Sequence, residues 1–475
     1  MAQWPIHATW NGPIVLVGFG SIGRGTLPLV LRHIACDPKQ ITIVEPLADH
    51  KAMAKSYGVN FKQAALTRAN HMAIMKPLLD GPQQGLIINL TVDVGSADMM
   101  KMARELNALY IDTVVEPWAG FYYNTKVDNA ARTNYALREN AQALKRKLGK
   151  GTTAVSCCGA NPGMVSWFVK KAMLNLARDM GVKVEKSPTR EGWAKLAKKL
   201  NVKGIHVAER DTQVSKNPKR QGTFVNTWSV EGFVSEGKQP AELGWGTHEK
   251  KLPPKARRHK TGCKAAIFIE TPGADTRVRT WVPGIGPQFG LLVTHNEAIS
   301  VSDYFTLRDG AKVTYRPTCH YAYHPSNDAM LSLNEMFGNG GRHPKNQHIM
   351  TQDEILSGED KLGVLLYGHK KNAYWFGSEL SIEEARSLAP YQSATGMQVT
   401  SAVLAGLIWA IENPNEGIVE TEEMDFERCL EIQRPYLGKL SGYYTDWTPL
   451  EGFDGLFGDA PDKRDPWQFS NILVN

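Results

Sequence analysis

Short apolar runs alternate with amphipathic stretches through residues 1–160, and this alternation predicts the strands and helices of a doubly wound sheet. The first run, at 14–17, has three β-branched members, which is typical of a buried strand. The next apolar segment, at 27–34, has the length of a helix. Further strands are predicted at 40–44, 59–62, 85–90, 109–116 and 153–157, and helices at 49–57, 68–79, 97–107, 133–148 and 164–176.

Three glycines follow the first strand directly in the spacing G-x-G-x-x-G: Gly18, Gly20 and Gly23. Between a strand and a helix, this spacing is typical of a turn that holds a dinucleotide pyrophosphate on a helix N-terminus. Glu45 ends the second strand about 20 residues later, where a carboxylate accepts ribose hydrogen bonds and repels a 2′-phosphate. The pattern favours NAD over NADP. The alternative is a glycine-rich turn of another α/β protein, with Glu45 as a solvated strand end.

The second half has short apolar runs separated by Gly and Pro. It predicts strands at 205–210, 221–228, 265–269 and 291–293, a loop at 334–352, and a buried apolar helix at 398–411 that returns to the first half. We therefore predict an α/β fold class, with a Rossmann-type doubly wound parallel sheet plus an α+β catalytic domain with an antiparallel sheet. The predicted domains are an NAD-binding domain at 1–160 completed by the helix at 392–412, a substrate, catalytic and dimerisation domain at 161–390, and a C-terminal segment at 413–475 packed on the other domains.

Composition adds little to this picture. Of the 475 residues, 22% are charged and 42% are hydrophobic, as in ordinary soluble proteins. There is no apolar run of roughly 18 residues and no signal-peptide pattern, so we expect a cytoplasmic protein without a membrane partner. The net charge of +7 is concentrated in runs that lack interleaved aromatic residues, which predicts solvated faces and no nucleic-acid site. The six scattered cysteines are expected to be free thiols.

Polar residues at the ends of predicted strands are the first candidates for a site. Ligands of doubly wound sheets bind beyond the carboxyl ends of the strands. Thr91, Asp93, Thr113 and Glu116 all fall at such ends. The turn at 161–163, Asn-Pro-Gly, follows the last strand and can start a helix.

The second half offers further polar and aromatic candidates. His320 and His324 stand four residues apart without the adjacent Glu of a zinc motif, so we expect packing histidines and no metal. By themselves, the other candidates are compatible with surface ion pairs or, for the tryptophan, with core packing. These other candidates are Glu209, Trp228, Glu231, Glu236, His295 and Glu297.

Several stretches resemble known families. The glycine turn, the Asn-Pro-Gly turn and the two-domain layout resemble the saccharopine dehydrogenase-like superfamily. More closely, distinctive segments resemble the bacterial homospermidine synthases, and this resemblance runs essentially from end to end. The segments are EPW at 116–118, AERDTQ at 208–213, NTWSVEGF at 226–233, ELGWGTHE at 242–249, THNE at 294–297 and QVTSAVLAG at 398–406.

The resemblance implies an aminobutyl transferase. Such an enzyme joins two putrescine molecules, or spermidine and putrescine, to sym-homospermidine and releases ammonia or diaminopropane. It works through imine intermediates, and NAD⁺ is a prosthetic group that stores a hydride, so no net redox change occurs. The cofactor performs the difficult step and the protein orients it. The resemblance also implies a homodimer.

The resemblance further implies which residues contact the amines. A protein of net positive charge needs a local acidic pocket to attract a diammonium substrate. Glu209 is expected to hold the inner amine, and Glu116 and Glu236 to bind the outer amine or guide its entry. His295 and Glu297 are expected to transfer protons, since an imidazole ordinarily titrates near neutral pH.

The remaining site residues follow from the same resemblance. The indole of Trp228 is expected to stabilise a cationic intermediate by a cation–π interaction. Asp93 and Asn161 are expected to complete the catalytic amine site. The residues expected to hold NAD are Gly18, Gly20, Ser21, Ile22, Gly23, Glu45, Thr91, Asp93, Thr113, Asn161 and Pro162.

Three alternatives remain open. A saccharopine dehydrogenase-like NAD-dependent oxidoreductase would bind α-carboxylates with arginines, whereas the matched segments are rich in Glu and contain Arg210 as the chief exception. An enzyme like carboxynorspermidine synthase would consume NADPH, which Glu45 disfavours. A non-catalytic NAD-sensing regulator would keep its function after replacement of Glu209 or His295.

Overall fold

The computed structural model describes residues 4–122, 124, 126–186, 188–452, 461 and 463–474. Residues 1–3 of the N-terminus that we examined for a signal peptide lie outside the described residues. The same holds for residues 453–460, 462 and 475 of the predicted C-terminal segment.

A parallel sheet of seven strands forms the first half of the described structure. Its first strand, Ile14–Val17, is buried along its whole length, as its apolar sequence predicts, and lies at the centre of the sheet. The spatial order of the strands is Glu416–Glu420, Gly151–Ser156, Ala108–Asp112, Gly85–Asn89, Ile14–Val17, Ile41–Glu45 and Asn60–Gln63. This order reverses direction beside the central strand, which is the switch point of a Rossmann-type fold.

Helices connect these strands in the alternation predicted from the sequence. Ser21–His33 begins directly after the glycine turn, and Asn134–Leu148 begins at Thr133, whose side chain accepts a hydrogen bond from the Ala136 main chain. The other helices of this half are Lys51–Ser56, His71–Leu79 and Ser96–Glu105.

A sheet of ten strands forms the second half. It is antiparallel except for one parallel pair, Gly204–Asp211 with Thr318–His324, which lies at its centre. The strands along the sheet are Ala256–Arg258, Ala266–Pro272, Pro240–Gly244, Thr318–His324, Gly204–Asp211, Glu359–His369, Asn372–Ser381 and Lys439–Thr445, with the hairpin Arg277–Val282 and Gly286–Leu291 paired to Thr318–His324.

Further helices, two-stranded ladders and 3₁₀ turns complete the two halves. The helices are Met164–Asp179, Arg190–Lys199, Val230–Lys238, Asn296–Tyr304, Asn327–Gly338, Ile382–Leu388, Ala394–Glu412, Phe426–Gln433 and Phe469–Ile472. Two-stranded ladders join Ala8–Thr9 to Ile34–Ala35, Val214–Ser215 to Ile355–Ser357, Thr223–Asn226 to Asn346–Ile349, and Leu307–Asp309 to Lys312–Tyr315. Single 3₁₀ turns lie at Pro38–Gln40, Asn129–Arg132, Gly273–Asp275, Thr421–Glu423 and Arg434–Tyr436.

The apolar helix Ala394–Glu412 joins the two halves. It packs on Ser21–His33 and on Phe426–Gln433, as the prediction of a helix that returns to the first half requires. By length and composition it could cross a membrane, but 89% of its apolar stretch is buried inside the protein, so it is a core helix. Together with Met164–Asp179, it belongs to one hydrophobic core that reaches both sheets.

Two local predictions are wrong, and one strand was not predicted. The predicted loop at 334–352 contains the end of the helix Asn327–Gly338 and the strand Asn346–Ile349, which pairs with Thr223–Asn226. The seventh parallel strand, Glu416–Glu420, was not predicted, since it has three glutamates or glycines among its five residues. The strand predicted at 291–293 occurs earlier, at Gly286–Leu291.

Candidate active site

One cavity of about 260 Å³ lies at the carboxyl ends of the parallel strands, where they face the second sheet. It contains most of the predicted site residues, and Gly23, Asp93 and Glu297 are the exceptions. The described residues that line it are Gly18, Gly20, Ser21, Ile22, Glu45, Leu90, Thr91, Val92, Thr113, Val114, Glu116, Gly159, Ala160, Asn161, Pro162, Glu209, Trp228, Ser229, Gly232, Glu236, His295, Tyr321, Ile349, Thr395 and Val399.

The glycine turn at one end of the cavity is shaped so that a ligand can lie close to the main chain. Gly18 has a φ of +89°, which favours glycine, and a Cβ on Gly23 would lie 2.3 Å from the carbonyl oxygen of Gly18. A Cβ on Gly20 would meet no atom within 4 Å, so this position is open to a ligand. No side chain caps the helix at Gly20, which leaves the first N–H groups of Ser21–His33 free for an anion.

Glu45 ends the strand Ile41–Glu45 and lines the cavity. Its two carboxylate oxygens accept hydrogen bonds from the main-chain N–H groups of Phe19, at 2.8 Å, and Leu47, at 3.1 Å. A carboxylate has about four lone-pair sites, so it can accept further hydrogen bonds from ribose hydroxyls. Thr91 and Thr113 follow neighbouring strands and line the same end of the cavity. These residues fit an NAD-type dinucleotide.

Carboxylates form the opposite wall. Glu209 comes from the strand Gly204–Asp211 and is 1% exposed; Asn161 donates to it at 3.0 Å. Burial raises the pKa of Glu209 to about 8, against the opposing effect of a hydrogen bond from the Tyr321 hydroxyl. Burial, together with the charges of Glu236 and Asp93, raises the pKa of Glu116 well above its usual range. This wall therefore favours a cationic ligand, which would compensate the carboxylates.

Asp93 lies just behind the lining, next to Val92. Its φ of +62° is in the left-handed region, which is uncommon for Asp. In this conformation its main-chain N–H is directed to the carboxylate of Glu116. Burial raises the pKa of Asp93 as well. Asp93 thus positions Glu116 and adds to the acidity of this corner.

Trp228 lines the cavity and contacts the second sheet at Tyr323. Its indole N–H donates to the hydroxyl of Tyr323 at 3.0 Å, and its ring packs on Phe233 at 5.5 Å between centroids. Because these contacts hold the ring while the residue lines the cavity, an aromatic face is available to a ligand cation.

Arginine and lysine are missing from the lining: among the described residues around this cavity, none is Arg or Lys. Arg210 lies on the opposite face of its strand from Glu209, because neighbouring strand residues alternate in direction. Its guanidinium donates to the Pro325 carbonyl and to Asn327, each at 3.0 Å. The cavity therefore offers neither a guanidinium nor a lysine ammonium to a substrate carboxylate. Within the described chain, no group of three or more His, Cys, Asp or Glu residues could hold a metal ion.

Comparison with known proteins agrees with this geometry. The family model "Saccharopine dehydrogenase NADP binding domain" matches residues 14–155, and "Saccharopine dehydrogenase C-terminal domain" matches residues 159–446. A homospermidine synthase of Mesorhizobium japonicum is 60% identical over 476 aligned positions, which cover 99% of this chain and 98% of that protein. One of Blastochloris viridis is also 60% identical and is covered completely. The chain belongs to the homospermidine synthase family.

A solved structure of this family confirms the predicted fold class. The crystal structure of a homospermidine synthase from Legionella pneumophila in complex with NAD matches with a TM-score of 0.91 and 42% identity, over 98% of each chain. The resemblance noted in the sequence is therefore confirmed, and the parallel sheet beside a mostly antiparallel sheet is the architecture of the homospermidine synthase family.

His295 differs from the expectation of an imidazole that titrates near neutral pH. Its ring nitrogens contact Glu236 at 3.3 Å and Glu297 at 3.2 Å. Burial lowers the pKa of His295, but the two carboxylates outweigh burial and raise it to about 10. Glu297 lies behind His295 and outside the lining. In this homospermidine synthase family member, His295 is held as a cation between two carboxylates, and Glu209 is the group that titrates near neutral pH.

Sequence analysis missed several lining residues, among them Tyr321 and Thr395. Tyr321 donates its hydroxyl to Glu209 and stacks on Tyr323 with 5.2 Å between ring centroids. It belongs to the strand Thr318–His324, where the two histidines drew attention; their side chains alternate with the tyrosines and face the other side of the sheet. Thr395 lies at the start of Ala394–Glu412 and is not among the predicted site residues. Period-two alternation in the strand was the signal that could have singled out Tyr321.

Proposed function

We propose that this protein is a homospermidine synthase, which joins two putrescine molecules, or spermidine and putrescine, to sym-homospermidine. The observation that supports this most directly is a cavity that holds the buried carboxylates Glu116 and Glu209 together with a dinucleotide turn, with no Arg or Lys in the described lining. A diammonium substrate complements such a cavity, whereas an amino acid would bring a carboxylate to it. The full-length identity of 60% to named homospermidine synthases supports the same activity.

NAD is the cofactor in this proposal, and when bound it supplies the acceptor and later the donor of a hydride. The N–H groups at Ser21 and Ile22 would hold its pyrophosphate, and Gly20 leaves room for it. Glu45 would accept from the adenosine ribose. Thr91, Asp93, Thr113, Asn161 and Pro162 complete the predicted NAD-binding set, with Gly18 and Gly23 shaping the turn.

The amine end of the cavity binds and deprotonates the substrate. Glu209 takes a proton from the inner ammonium, because an amine must be neutral at nitrogen before a hydride leaves its carbon. Glu116 and Glu236 bind the outer ammonium, and the indole of Trp228 stabilises the cationic imine. His295, held as a cation, keeps Glu236 and Glu297 oriented. Ammonia departs as the second amine forms the new imine.

The reaction itself provides the test. The enzyme is incubated with putrescine and an amount of NAD⁺ far below that of the substrate. We expect homospermidine and ammonia in equal amounts without accumulation of NADH. NADH in proportion to product would indicate the saccharopine dehydrogenase-like oxidoreductase instead. An unreacted diamine, with NAD bound, would indicate the non-catalytic regulator.

Three further features complete the proposal. The protein is a homodimer, and it is located in the cytoplasm. Its six cysteines are free thiols, as all six are in the structure. The domain division at about residue 160 agrees with the two family models, which meet between residues 155 and 159. Light scattering of the purified protein measures the dimer directly.

A further inference from the structure

Tyr321 lies in the wall of the cavity, directly beside Glu209. It belongs to the strand Thr318–His324, which runs parallel to Gly204–Asp211 with Tyr323 opposite Glu209. Opposite residues in a sheet point to the same face, and so do residues two apart along one strand, so Tyr321 points to the face of Glu209. Both side chains line the cavity, and both are buried. Strand pairing thus holds the phenol beside the carboxylate.

The two carboxylate oxygens of Glu209 have different surroundings. Oε2 accepts hydrogen bonds from the hydroxyl of Tyr321 and from the side-chain amide of Asn161, the latter at 3.0 Å. No described residue donates to Oε1, which remains accessible from the cavity that Glu209 lines. A carboxylate that is held at one oxygen presents the other in a fixed direction. Oε1 is therefore the oxygen that an ammonium in the cavity meets.

Aromatic neighbours hold Tyr321 in place. Its ring packs against the imidazole of His295, with 4.4 Å between ring centroids, and stacks on Tyr323 at 5.2 Å. The hydroxyl of Tyr323 in turn accepts from the indole of Trp228 at 3.0 Å. Closely packed side chains keep their rotamers, so the hydroxyl of Tyr321 stays directed at Glu209.

A buried carboxylate needs such donors to ionise, because burial favours its neutral form. Burial raises the pKa of Glu209 to about 8, and the hydrogen bond from Tyr321 opposes the effect of burial. Burial and the charge of Glu209 raise the pKa of Tyr321 well above its usual range. The phenol therefore keeps its own proton while Glu209 titrates, and it remains a hydrogen-bond donor throughout.

Other charged groups also face Glu209. The charge of Asp211 opposes the ionisation of Glu209, and the cation of His295 favours it. Asp360 lies opposite Asp211 in the sheet and on the same face. Arg210 points to the other face, where other partners hold it. The remaining titratable groups on this face or around the cavity are Glu116, Glu236 and Tyr323.

We propose that Tyr321 is the positioning residue of the base: its hydroxyl holds Oε2 of Glu209, favours the ionised carboxylate and leaves Oε1 to face the inner ammonium. This inference rests on the proposed aminobutyl transfer. In the first step an N–H bond of the ammonium breaks, its electron pair stays on nitrogen, and the proton forms an O–H bond at Oε1. Tyr321 loses no proton and acts on the amine only through Glu209.

Tyr321→Phe removes the hydroxyl and keeps the ring. A hydrogen bond to a charged group is strong enough to displace a pKa by about one to two units, so the acidic limb of kcat/KM should move to higher pH by that amount. Well below the limb, kcat/KM should be roughly 10- to 100-fold lower than in the wild type, and above the limb it should recover. A purely structural role for Tyr321 would instead lower kcat/KM equally at every pH.

Three further variants sharpen this test. Tyr367→Phe removes another buried hydroxyl, which lies outside the cavity lining and has no hydrogen-bond partner, and should leave kcat/KM and its pH profile unchanged. Tyr323→Phe removes the hydroxyl that bonds to Trp228, and the acidic limb should keep its wild-type position whatever the effect on kcat. A ring-fluorinated tyrosine at position 321 keeps the shape of the side chain but donates more strongly, so the limb should move to lower pH.

A titration without substrate separates this inference from the proposed activity. The infrared band of a protonated carboxyl group that Glu209→Gln removes identifies Glu209, and its midpoint in the resting wild-type protein should lie at about pH 8. In Tyr321→Phe the midpoint should rise by about one to two pH units. An unchanged midpoint in this variant overturns the inference, as does an acidic limb of kcat/KM at its wild-type position. A wild-type protein that makes no homospermidine refutes the proposed function instead, and the shift of the midpoint then still measures the hydrogen bond.

Discussion

The two ends of the cavity bind their ligands by different physical means. The dinucleotide end uses main-chain N–H groups, glycines and one carboxylate that is already hydrogen-bonded by the main chain. The amine end uses buried ionisable side chains whose pKa values are displaced by burial and by one another. The first end should therefore be sensitive to added volume and insensitive to pH, whereas the second should respond to charge and protonation.

The largest expected effect comes from the base at the amine end. Glu209→Gln keeps the size of the side chain but cannot accept a proton, so kcat should fall by about 1,000-fold, within the range of general-base catalysis. NAD affinity, measured by quenching of tryptophan fluorescence, should stay close to that of the wild type. A variant with wild-type kcat, or one that loses NAD binding to the same extent, would contradict this division of the cavity.

The pH dependence should separate the two ends next. The ionised form of Glu209 is the base, and its pKa of about 8 means that this form is lost as the pH falls below that value. We expect kcat/KM, which reports the free enzyme, to fall about tenfold for each pH unit below the pKa of Glu209. His295 stays protonated up to about pH 10 and adds no limb near neutrality.

The dissociation constant of NAD serves as the control for that profile. It should change little over the same pH range, because main-chain N–H groups do not titrate. An acidic limb near the ordinary value of 4.5 would show that Glu209 is not displaced as described.

Trp228 gives a smaller effect, set by the aromatic face. A desolvated cation–π contact contributes about 2 kcal/mol, so Trp228→Ala should lose roughly 30-fold in kcat/KM. Trp228→Phe keeps an aromatic ring and should retain part of the activity. Steady-state kinetics of the two variants decide the point, and near-complete activity in both would exclude a role for the ring.

The smallest effects concern two glycines of the same turn. Gly20→Ala adds a methyl group to open space, so it should leave the melting temperature unchanged and weaken NAD binding by roughly tenfold, or about 1.4 kcal/mol. Gly23→Ala places the methyl group 2.3 Å from the Gly18 carbonyl oxygen, so both the melting temperature and the affinity for NAD should fall. Calorimetry with and without NAD measures both. Equal melting temperatures in the two variants would contradict the packing described here.

The same contrast explains what could be predicted from sequence. The dinucleotide end is local: Gly18, Gly20, Gly23 and Glu45 lie within one strand–turn–helix–strand unit, and their spacing alone predicts their arrangement. The parallel sheet was equally predictable, because each buried strand is an apolar run. Its seventh strand, Glu416–Glu420, was missed, since its place depends on pairing with Gly151–Ser156 far away in the chain.

The amine end was predictable only through the family resemblance. Glu209 and Tyr321 are 112 residues apart in the sequence, and Asp211 pairs with Asp360, which lies 149 residues later (360 − 211). Such contacts depend on strand register, which no local pattern specifies. The displaced pKa values of Glu209 and His295 follow from those contacts, so they too could be obtained only from the structure.

The central claim is that the hydride removed from one amine is returned within the same catalytic cycle. Putrescine deuterated at the carbons that carry the amines, incubated with a trace of unlabelled NAD⁺ in ordinary water, tests it most directly by mass spectrometry of the homospermidine formed. The account predicts that, beyond a first turnover, both carbons bonded to the newly formed secondary amine nitrogen retain all their deuterium. Homospermidine that has lost one deuterium per molecule, or a labelled aldehyde with stoichiometric NADH, would contradict it.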